Sequence, residues 1–355
     1  MRALVYESFR GPLEVRTVPD PVAPPGGVVV RVGATGVCRS DWHGWQGHDA
    51  DVRLPHVPGH ELAGTVEAVG AGVQRWRAGD RVTVPFVCAC GRCASCVAGE
   101  QQVCQAQTQP GFTHWGSFAE LVALEAADVN LVALPDALSL TVAASLGCRA
   151  TTAFRAVTQV GRVRPGEWVA VHGCGGVGLS AVQVAVAAGA QVVAVDVSPG
   201  ALALASSFGA SVVVDARSAD VVDDVREATG GGAALSLDAL GSVTTCVDSV
   251  LCLRRRGRHV QVGLLPPAQG RPLVPMDRVV ALELEVLGSH GMAAHAFPAL
   301  LDLVAAGRLR PDLLVTREVG LDGAGAALAE VGRLPGITVV SPSAPWPSGD
   351  SSSKA

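Results

Sequence analysis

Four cysteines lie at spacings that suit a metal ion. They are separated by three, three and eight positions and are Cys90, Cys93, Cys96 and Cys104. A structural zinc site needs four tetrahedral ligands, usually thiolates, and it holds together a loop that has too little core to fold alone. Because these cysteines share a short glycine-containing stretch, residues 88–105 are predicted to form a lobe around one zinc ion. Chance spacing or disulfide pairing is the alternative.

Further residues of metal-ligating type are spread along the chain. Cys38 begins the segment CRSDWH, which places five functional groups beside one thiol. His60 and Glu61 follow a Pro-Gly pair, in a predicted tight turn before a strand, and Cys148 precedes a predicted helix. A single residue of this kind, cysteine above all, is more often packed in a core than bound to a metal. Spacing alone therefore does not define a second site.

A glycine-rich turn marks a nucleotide-binding site. The run Gly173-Cys174-Gly175-Gly176-Val177-Gly178 follows an apolar strand predicted over Trp168–His172, and it opens an apolar helix. Such glycines let the backbone approach a pyrophosphate at the N-terminus of the helix. With both flanking elements in place, the run predicts a dinucleotide site.

Asp196 ends the next predicted strand and bears on the choice of cofactor. In this position a carboxylate accepts hydrogen bonds from the adenosine ribose and repels a 2′-phosphate. The following Val197, Ser198 and Pro199 supply no cation, so the sequence predicts NAD rather than NADP. The alternative is that Asp196 only caps the helix that begins near Pro199.

Two patterns of secondary structure position these residues. The first 125 residues predict short strands between Gly/Pro turns, the pattern of a small irregular barrel. A helix is predicted over Thr141–Val157, and the strands and helices that alternate after it indicate a parallel, doubly wound sheet. After about Ala293 a helix, a strand and a second helix are predicted to rejoin the first domain. The Ser/Pro-rich tail from Ser341 is predicted to be disordered.

Length and composition exclude several classes of protein. A chain of 355 residues, 49% of them apolar and 17% charged, suits two domains with a large interior. The net charge of −5, with both signs mixed, argues against nucleic acid or an anionic membrane as a partner. The sequence shows neither a signal peptide nor an unbroken apolar run of roughly 20 residues. The expectation is a soluble, cytoplasmic protein.

In combination, the motifs resemble a known family. CRSDWH, GHE at 59–61, the CxxCxxCx7C lobe and GCGGVG, at these separations, resemble the zinc-containing alcohol dehydrogenases of the medium-chain dehydrogenase/reductase superfamily. The resemblance runs from residue 1 to about 340. It implies an α/β protein with a GroES-like irregular β-barrel catalytic domain over 1–152, completed by about 293–340. A Rossmann domain with a doubly wound parallel sheet would bind NAD over 153–292, and 341–355 would be the disordered tail.

The resemblance also implies ligands and partners. Two zinc ions per subunit are expected, one catalytic and one structural, together with NAD, an alcohol or aldehyde substrate, and a homo-oligomer (tetramer or dimer). Cys38, His60 and Cys148 would bind the catalytic zinc and leave a fourth position for water or substrate. Asp41 would orient His60, as metal-bound imidazoles usually require. Glu61 would lie behind the metal and enter its coordination shell transiently. A buried structural thiol is the alternative for Cys148.

Proton transfer falls, by the same resemblance, to the segment after Cys38. Ser40 would take the proton of a zinc-bound alcohol and pass it through the nicotinamide ribose to His43 at the surface. Ser40 could also be the N-cap of the short helix that follows Cys38.

Cofactor contacts are implied in the same way. Thr152 would lie against the nicotinamide, the backbone of Val262 and Gly263 would hold its carboxamide, and Arg39 would meet the pyrophosphate. The chain departs from many relatives near its C-terminus, where Ile337 stands in place of an arginine that binds the pyrophosphate.

Aromatic residues are the candidates for the substrate pocket: Trp45, Phe86 and Trp115, with His290 as a further one. Aromatic walls favour a primary or aromatic alcohol over a sugar. The predicted activity is reversible hydride transfer between a primary or secondary alcohol and NAD. The alternatives are a polyol or amino-alcohol dehydrogenase, and a non-catalytic protein that binds NAD and zinc. A zinc-free quinone reductase is disfavoured by the two complete ligand sets.

Overall fold

The computed structural model describes residues 1–217, 220–265 and 270–343, and its strands form three sheets. In chain order the strands are β1 (Arg2–Val5), β2 (Glu14–Thr17), β3 (Val28–Gly36), β4 (Glu61–Val69), β5 (Arg81–Thr83), β6 (Leu121–Leu124), β7 (Val132–Ala133), β8 (Trp168–His172), β9 (Gln191–Asp196), β10 (Val212–Asp215), β11 (Ala233–Asp238), β12 (Leu253–Gln261), β13 (Glu285–Gly288), β14 (Val315–Gly320) and β15 (Ile337–Ser341).

The helices are short, and no described helix is long and apolar enough to cross a membrane. The α-helices are α1 (Arg39–Trp45), α2 (Ala94–Val97), α3 (Ala127–Asn130), α4 (Leu140–Ala144), α5 (Thr151–Phe154), α6 (Gly176–Ala187), α7 (Pro199–Ser207), α8 (Val221–Ala228), α9 (Val243–Leu251), α10 (Met276–Ala281), α11 (Phe297–Ala305) and α12 (Ala324–Ala329). Four 3₁₀ turns span Gln101–Val103, Ala294–Ala296, Pro311–Leu314 and Leu321–Gly323 in the described ranges.

Six parallel strands form the sheet of the chain's second half, in the order β10-β9-β8-β11-β12-β13. Counted from β8, this is the order 3-2-1-4-5-6 of a doubly wound dinucleotide-binding fold. Strand β8 lies at its centre and is buried over most of its length, which explains why it is a nearly continuous apolar run in the sequence. The predicted doubly wound sheet is confirmed.

A mixed sheet brings the two ends of the chain together. Its order is β14-β15-β3-β4-β5-β7, with β6 also paired to β3. Strand β15 runs antiparallel to β3, with Val339 opposite Gly36. The C-terminal segment therefore returns to the sheet that carries the segments of Cys38 and His60.

The helix predicted over Thr141–Val157 is interrupted. Two π-helical turns, Leu146–Ala150 and Arg155–Val160, flank α5. The hydroxyl of Thr151 donates to the carbonyls of Gly147 (3.2 Å) and Cys148 (2.9 Å), so a side chain competes for the backbone acceptors of this turn. Such π turns are frequent at functional sites, and the first one carries Cys148.

The first residues of the tail that was predicted to be disordered, 341–355, lie in described structure. Ser341 ends β15, and the hydroxyl of Ser343 donates to the carbonyl of Val32 at 2.9 Å. Ser341 is ordered as the last residue of β15, opposite Gly320 of β14, and Ser343 is held by its side-chain hydrogen bond to β3. The remainder of the predicted tail, 344–355, lies outside the described residues.

Candidate active site

A buried cluster forms where three distant segments meet. Cys38 follows β3, His60 precedes β4, and Cys148 lies in the first π turn. Gly36 stands opposite Glu61 in the antiparallel β3–β4 pair, so the ends of these two strands are adjacent. The ligand atoms of Cys38, His60, Glu61 and Cys148 all lie within 4.8 Å of one another, and all four residues are buried. The structure thus brings together the ligand set that the resemblance implied.

Asp41 fixes the orientation of the His60 ring. Its Oδ1 lies 2.8 Å from His60 Nδ1 and also accepts the N–H of Gly59, while its Oδ2 accepts the N–H of Cys38. The other ring nitrogen, Nε2, is buried and has no hydrogen-bond partner in the described part of the chain. An orphaned imidazole nitrogen beside two thiols fits a zinc ligand, because such a nitrogen otherwise needs a donor or acceptor.

The charges of the cluster favour a cation. Burial acts to lower the pKa of His60, yet the charges of Asp41 and Cys38 raise it well above its ordinary value. The pKa of Cys38 lies well below its ordinary value, because a hydrogen bond from Cys148 stabilises the thiolate against the opposing effect of burial. A thiolate beside a carboxylate-bound imidazole is the donor chemistry that zinc prefers.

Glu61 faces a buried arginine. Burial raises the pKa of Glu61 to about 7, although Arg149 acts in the opposite direction. Arg149 Nη2 lies 3.1 Å from Glu61 Oε2, and both side chains are almost fully buried. No sequence pattern pointed to a role for Arg149, which directly follows Cys148.

The four clustered cysteines of the lobe form a second group. Cys93 Sγ lies 3.5 Å from Cys96 Sγ and 3.7 Å from Cys104 Sγ, and Cys90 Sγ lies 4.0 Å from Cys96 Sγ. All four are free thiols. Ligands of a tetrahedral zinc ion with Zn–S bonds near 2.3 Å are separated by roughly 3.8 Å. The lobe therefore fits a structural zinc ion and not a pair of disulfides.

Ser40 and His43 lie on α1, which directly follows Cys38. Cys38, not Ser40, is the N-cap of α1, so the capping alternative for Ser40 is wrong. Ser40 Oγ lies 3.8 Å from Cys38 Sγ. His43 is partly buried, and burial lowers its pKa, with positive charge on Arg39 and His48 adding to that effect.

His48 is a neighbour of His43 to which the sequence assigned no role. The two Nδ1 atoms lie 3.0 Å apart, and His48 is exposed. A Schellman motif ends α1, with Gly47 at φ +78°. The N–H of Gly47 donates to the carbonyl of Gly44, and the N–H of His48 donates to the carbonyl of His43. Gly47 after the apolar turn of α1 is the sequence signal for this reversal.

The glycine run surrounds the N-terminus of α6. A Cβ at Gly178 would overlap the carbonyl of Gly173, so this glycine allows the close approach of helix and strand. The space beside Gly175 is open, with no atom within 4 Å of a Cβ built there. Val177 follows Gly176, the first residue of α6. The geometry fits a pyrophosphate at this helix end.

Asp196 reaches back to the glycine run. Its Oδ2 accepts the N–H of Cys174 at 2.6 Å, and its Oδ1 accepts the N–H of Ser198 at 2.8 Å. The N-cap of α7 is Ser198, whose hydroxyl accepts from Ala201, so the alternative that Asp196 only caps this helix is wrong.

The other residues implied in cofactor binding differ in whether their polar groups already have partners. Thr152 Oγ1 is buried and has no hydrogen-bond partner among the described residues, which fits a hydroxyl that contacts a bound ligand. The N–H groups of Val262 and Gly263 both donate to the carbonyl of Asp238, so neither is free for a carboxamide. Arg39 is exposed and stacks on Trp42, with Cζ 4.6 Å from the ring centroid. Ile337 is buried in the core, on the strand β15.

Of the pocket candidates, the structure places Phe86 beside the cluster. Its ring centroid lies 6.2 Å from that of His60 and 5.1 Å from that of His290. Phe112, which the sequence did not single out, lies 5.3 Å from His60. The indoles of Trp45 and Trp115 donate to the carbonyls of Gly11 and Pro55, both 3.0 Å away, at partly buried positions.

Comparison with known families is consistent with this geometry. The family described as "Alcohol dehydrogenase GroES-like domain" matches residues 24–136, and the one described as "Zinc-binding dehydrogenase" matches residues 176–306. An alcohol dehydrogenase of Geobacillus stearothermophilus is 38% identical over 291 residues, which cover 81% of this chain and 84% of that protein.

Solved structures agree over nearly the whole chain. The alcohol dehydrogenase TADH from Thermus sp. ATN1 superposes with a TM-score of 0.88 at 33% identity, covering 96% of this chain and 99% of that one. A protein described as an NAD-dependent alcohol dehydrogenase superposes with a TM-score of 0.86 at 31% identity, covering 96% and 100%.

Fold and sites together define a zinc-binding dehydrogenase. The chain belongs to the zinc-containing alcohol dehydrogenases of the medium-chain dehydrogenase/reductase superfamily, and it is an oxidoreductase. The predicted combination of a GroES-like domain with a Rossmann domain is confirmed.

Proposed function

We propose that this enzyme transfers a hydride between a primary or secondary alcohol and NAD at a zinc ion held by Cys38, His60 and Cys148. The observation that carries the proposal is the buried cluster with its orphaned His60 Nε2 and low-pKa Cys38. When bound, zinc is a Lewis acid that lowers the pKa of a hydroxyl in its coordination shell. A second zinc ion would be held by the four-cysteine lobe.

The chain's own residues would then manage the proton. Ser40, whose Oγ lies 3.8 Å from Cys38 Sγ, would accept the proton of the substrate hydroxyl. His43 is the next acceptor, because its lowered pKa leaves the imidazole neutral near pH 7. Asp41 keeps His60 in the tautomer that presents Nε2 to the metal.

Other residues would position the cofactor. The open face beside Gly175 and the N-terminus of α6 suit the pyrophosphate, and Asp196 suits the adenosine ribose. Thr152 would offer the nicotinamide its buried hydroxyl, which has no hydrogen-bond partner among the described residues. Because the N–H groups of Val262 and Gly263 are occupied and the carbonyl of Gly263 already accepts from Gln261, the carboxamide would meet the carbonyl oxygen of Val262. The NAD dependence of the structurally similar enzyme supports this choice of cofactor.

The domain bounds and the substrate class belong to the same proposal. We place the catalytic domain at 1–152 and 293–340 and the NAD domain at 153–292, which puts the boundary inside α5. Phe86, beside His60, would form one wall of the substrate pocket, and Trp45 and Trp115 are further candidates for its lining. A homo-oligomer is expected, and light scattering after size-exclusion chromatography measures it.

One experiment tests the activity. Coenzyme reduction is measured with primary, secondary, aromatic and polyol substrates, each with NAD and NADP, before and after zinc is removed by a chelator. Zinc-dependent reduction of NAD by a primary, secondary or aromatic alcohol is expected. Turnover of polyols alone would support the polyol alternative. No turnover by protein that binds both zinc and NAD would contradict the proposal and favour a binding role.

A further inference from the structure

Arg149 is a buried cation that the proposed reaction leaves unused. The residue is 5% exposed and lies in the π turn directly after Cys148. Arginine is almost never fully buried unless it is paired, because removing its charge from water is costly. The position of this charge beside the metal-ligand cluster therefore calls for a physical reason.

One end of the Arg149 side chain joins the three segments that carry the metal ligands. Its guanidinium donates to the carbonyl of Val37, the residue before Cys38. It also forms the 3.1 Å ion pair with Glu61, the residue after His60. The guanidinium thus contacts Val37 and Glu61, the chain neighbours of Cys38 and His60. Arg149 is itself the chain neighbour of the third ligand residue, Cys148.

The stem of the same side chain touches the cofactor loop. A Cβ built on Gly176, the first residue of α6, would overlap Arg149 Cδ and lie 2.9 Å from Nε. Gly36 makes room in the same way for the carboxylate of Glu61. Two glycines therefore leave the space in which the Glu61–Arg149 pair lies. Nη1 of Arg149 is buried and has no hydrogen-bond partner within 1–217, 220–265 and 270–343.

We propose that Arg149 is a positioning residue that ties the metal-ligand segments to the first turn of α6, so that the metal site and the cofactor site hold each other's geometry. The coupling is reciprocal, since a change in zinc affinity on binding NAD must equal the change in NAD affinity on binding zinc. The inference rests on the proposed function only in requiring that the two sites bind zinc and NAD.

The test measures binding rather than turnover. NAD affinity is determined by calorimetry on protein with two zinc ions per subunit, and again after dialysis has removed the ion of the buried cluster. In the wild type, loss of that ion is expected to weaken NAD binding by about tenfold, within the range of couplings between linked sites. In Arg149→Met, which keeps the stem and removes the charge, NAD affinity should change by less than about twofold on zinc removal.

The partner residue separates the charge from the packing. Glu61→Gln alone leaves the arginine unpaired, and Arg149→Met alone leaves the carboxylate unpaired, so each should lose zinc from the buried cluster more readily. The double variant leaves no unpaired charge and should retain zinc better than Arg149→Met. Arg149→Lys keeps the charge and should lie between wild type and Arg149→Met. Arg162→Met, which breaks a half-exposed pair with Glu285, is the matched control and should change neither affinity.

Gly176 tests the contact with the cofactor loop. Gly176→Ala should weaken NAD binding more in the wild type than in an Arg149→Ala background, because the added methyl group then has room. Equal effects in both backgrounds, or an Arg149→Met variant that retains the full coupling between zinc and NAD, would overturn the inference. A wild type that binds zinc and NAD with coupling but oxidises no alcohol would refute the proposed function alone. Protein that binds neither would overturn both.

Discussion

The two cysteine-containing clusters of this enzyme are built in opposite ways. The lobe takes its four thiols from residues 90–104, a stretch whose only regular elements are α2 and one 3₁₀ turn. Two of the four cysteines are partly exposed. The active-site cluster takes Cys38, His60, Glu61 and Cys148 from three segments, and all four are buried. The first cluster could close with little surrounding structure, whereas the second exists only when β3, β4 and the first π turn have met.

The difference in construction implies a difference in role. Closing a short loop around an ion costs little chain entropy and stabilises a segment that lacks a core, as a structural zinc does. Bringing distant segments together costs more, but it buries the site, removes water and surrounds it with oriented partners such as Asp41 and Arg149. Those are the properties of a site where chemistry occurs.

The largest expected effect separates the two clusters directly. Cys148→Ser should lower the zinc content from two ions per subunit to one and reduce alcohol oxidation to background, because a buried ligand of the proposed catalytic ion is replaced. Cys104→Ser should also leave one ion, but its main effect should be a lower unfolding temperature, since the lobe loses the ion that organises it. Zinc analysis, turnover and calorimetric melting of both variants check this. Equal melting temperatures with equal loss of turnover would contradict the separation.

The same contrast explains how much could be predicted from the sequence. Cys90, Cys93, Cys96 and Cys104 are recognisable by spacing alone, and the glycine run is recognisable by its flanking strand and helix. The second cluster needed a family resemblance, because no local pattern connects position 38 with position 148. Arg149 escaped prediction for a physical reason: its partner Glu61 and its contact Gly176 are distant in the sequence, and an arginine is ordinarily a surface residue. The π turns around α5 escaped prediction for a different reason, because the helical periodicity of the segment is not interrupted.

Ser40 tests whether the dispersed cluster does proton chemistry. Ser40→Ala should slow alcohol oxidation on the order of 10²–10⁴-fold while zinc content stays at two per subunit, because the hydroxyl is a proton acceptor and not a ligand. Initial rates and zinc analysis provide the measurement. The exposed Ser206→Ala on α7 is the control and should be silent. Near-normal turnover of Ser40→Ala would remove this residue from the reaction.

Asp41 sharpens the contrast, because the lobe cysteines have no such carboxylate partner among the contacts of the described residues. Asp41→Asn should weaken zinc binding or activity by roughly 10–100-fold, the usual effect of losing a partner that orients a metal-bound imidazole. The amide can replace only part of an acceptor that serves His60, Gly59 and Cys38 together. Competition with a chelator measures the affinity. If the variant held zinc as tightly as the wild type, the orienting role would be refuted.

The smallest expected effect concerns His43, the last acceptor of the proposed proton path. The lobe has no counterpart to this path among the described residues. Burial lowers the pKa of His43 below its ordinary value of about 6.5. A neutral imidazole accepts a proton and a protonated one does not, so the rate should be full above the His43 pKa and fall as pH drops through it. His43→Gln should remove this acid limb and reduce the rate modestly near neutrality. The variant lacks the imidazole that would pass the proton to the exposed His48, 3.0 Å away. Rates of the two proteins measured from acid to neutral pH decide the matter: an unchanged acid limb in the variant would assign that titration to another group.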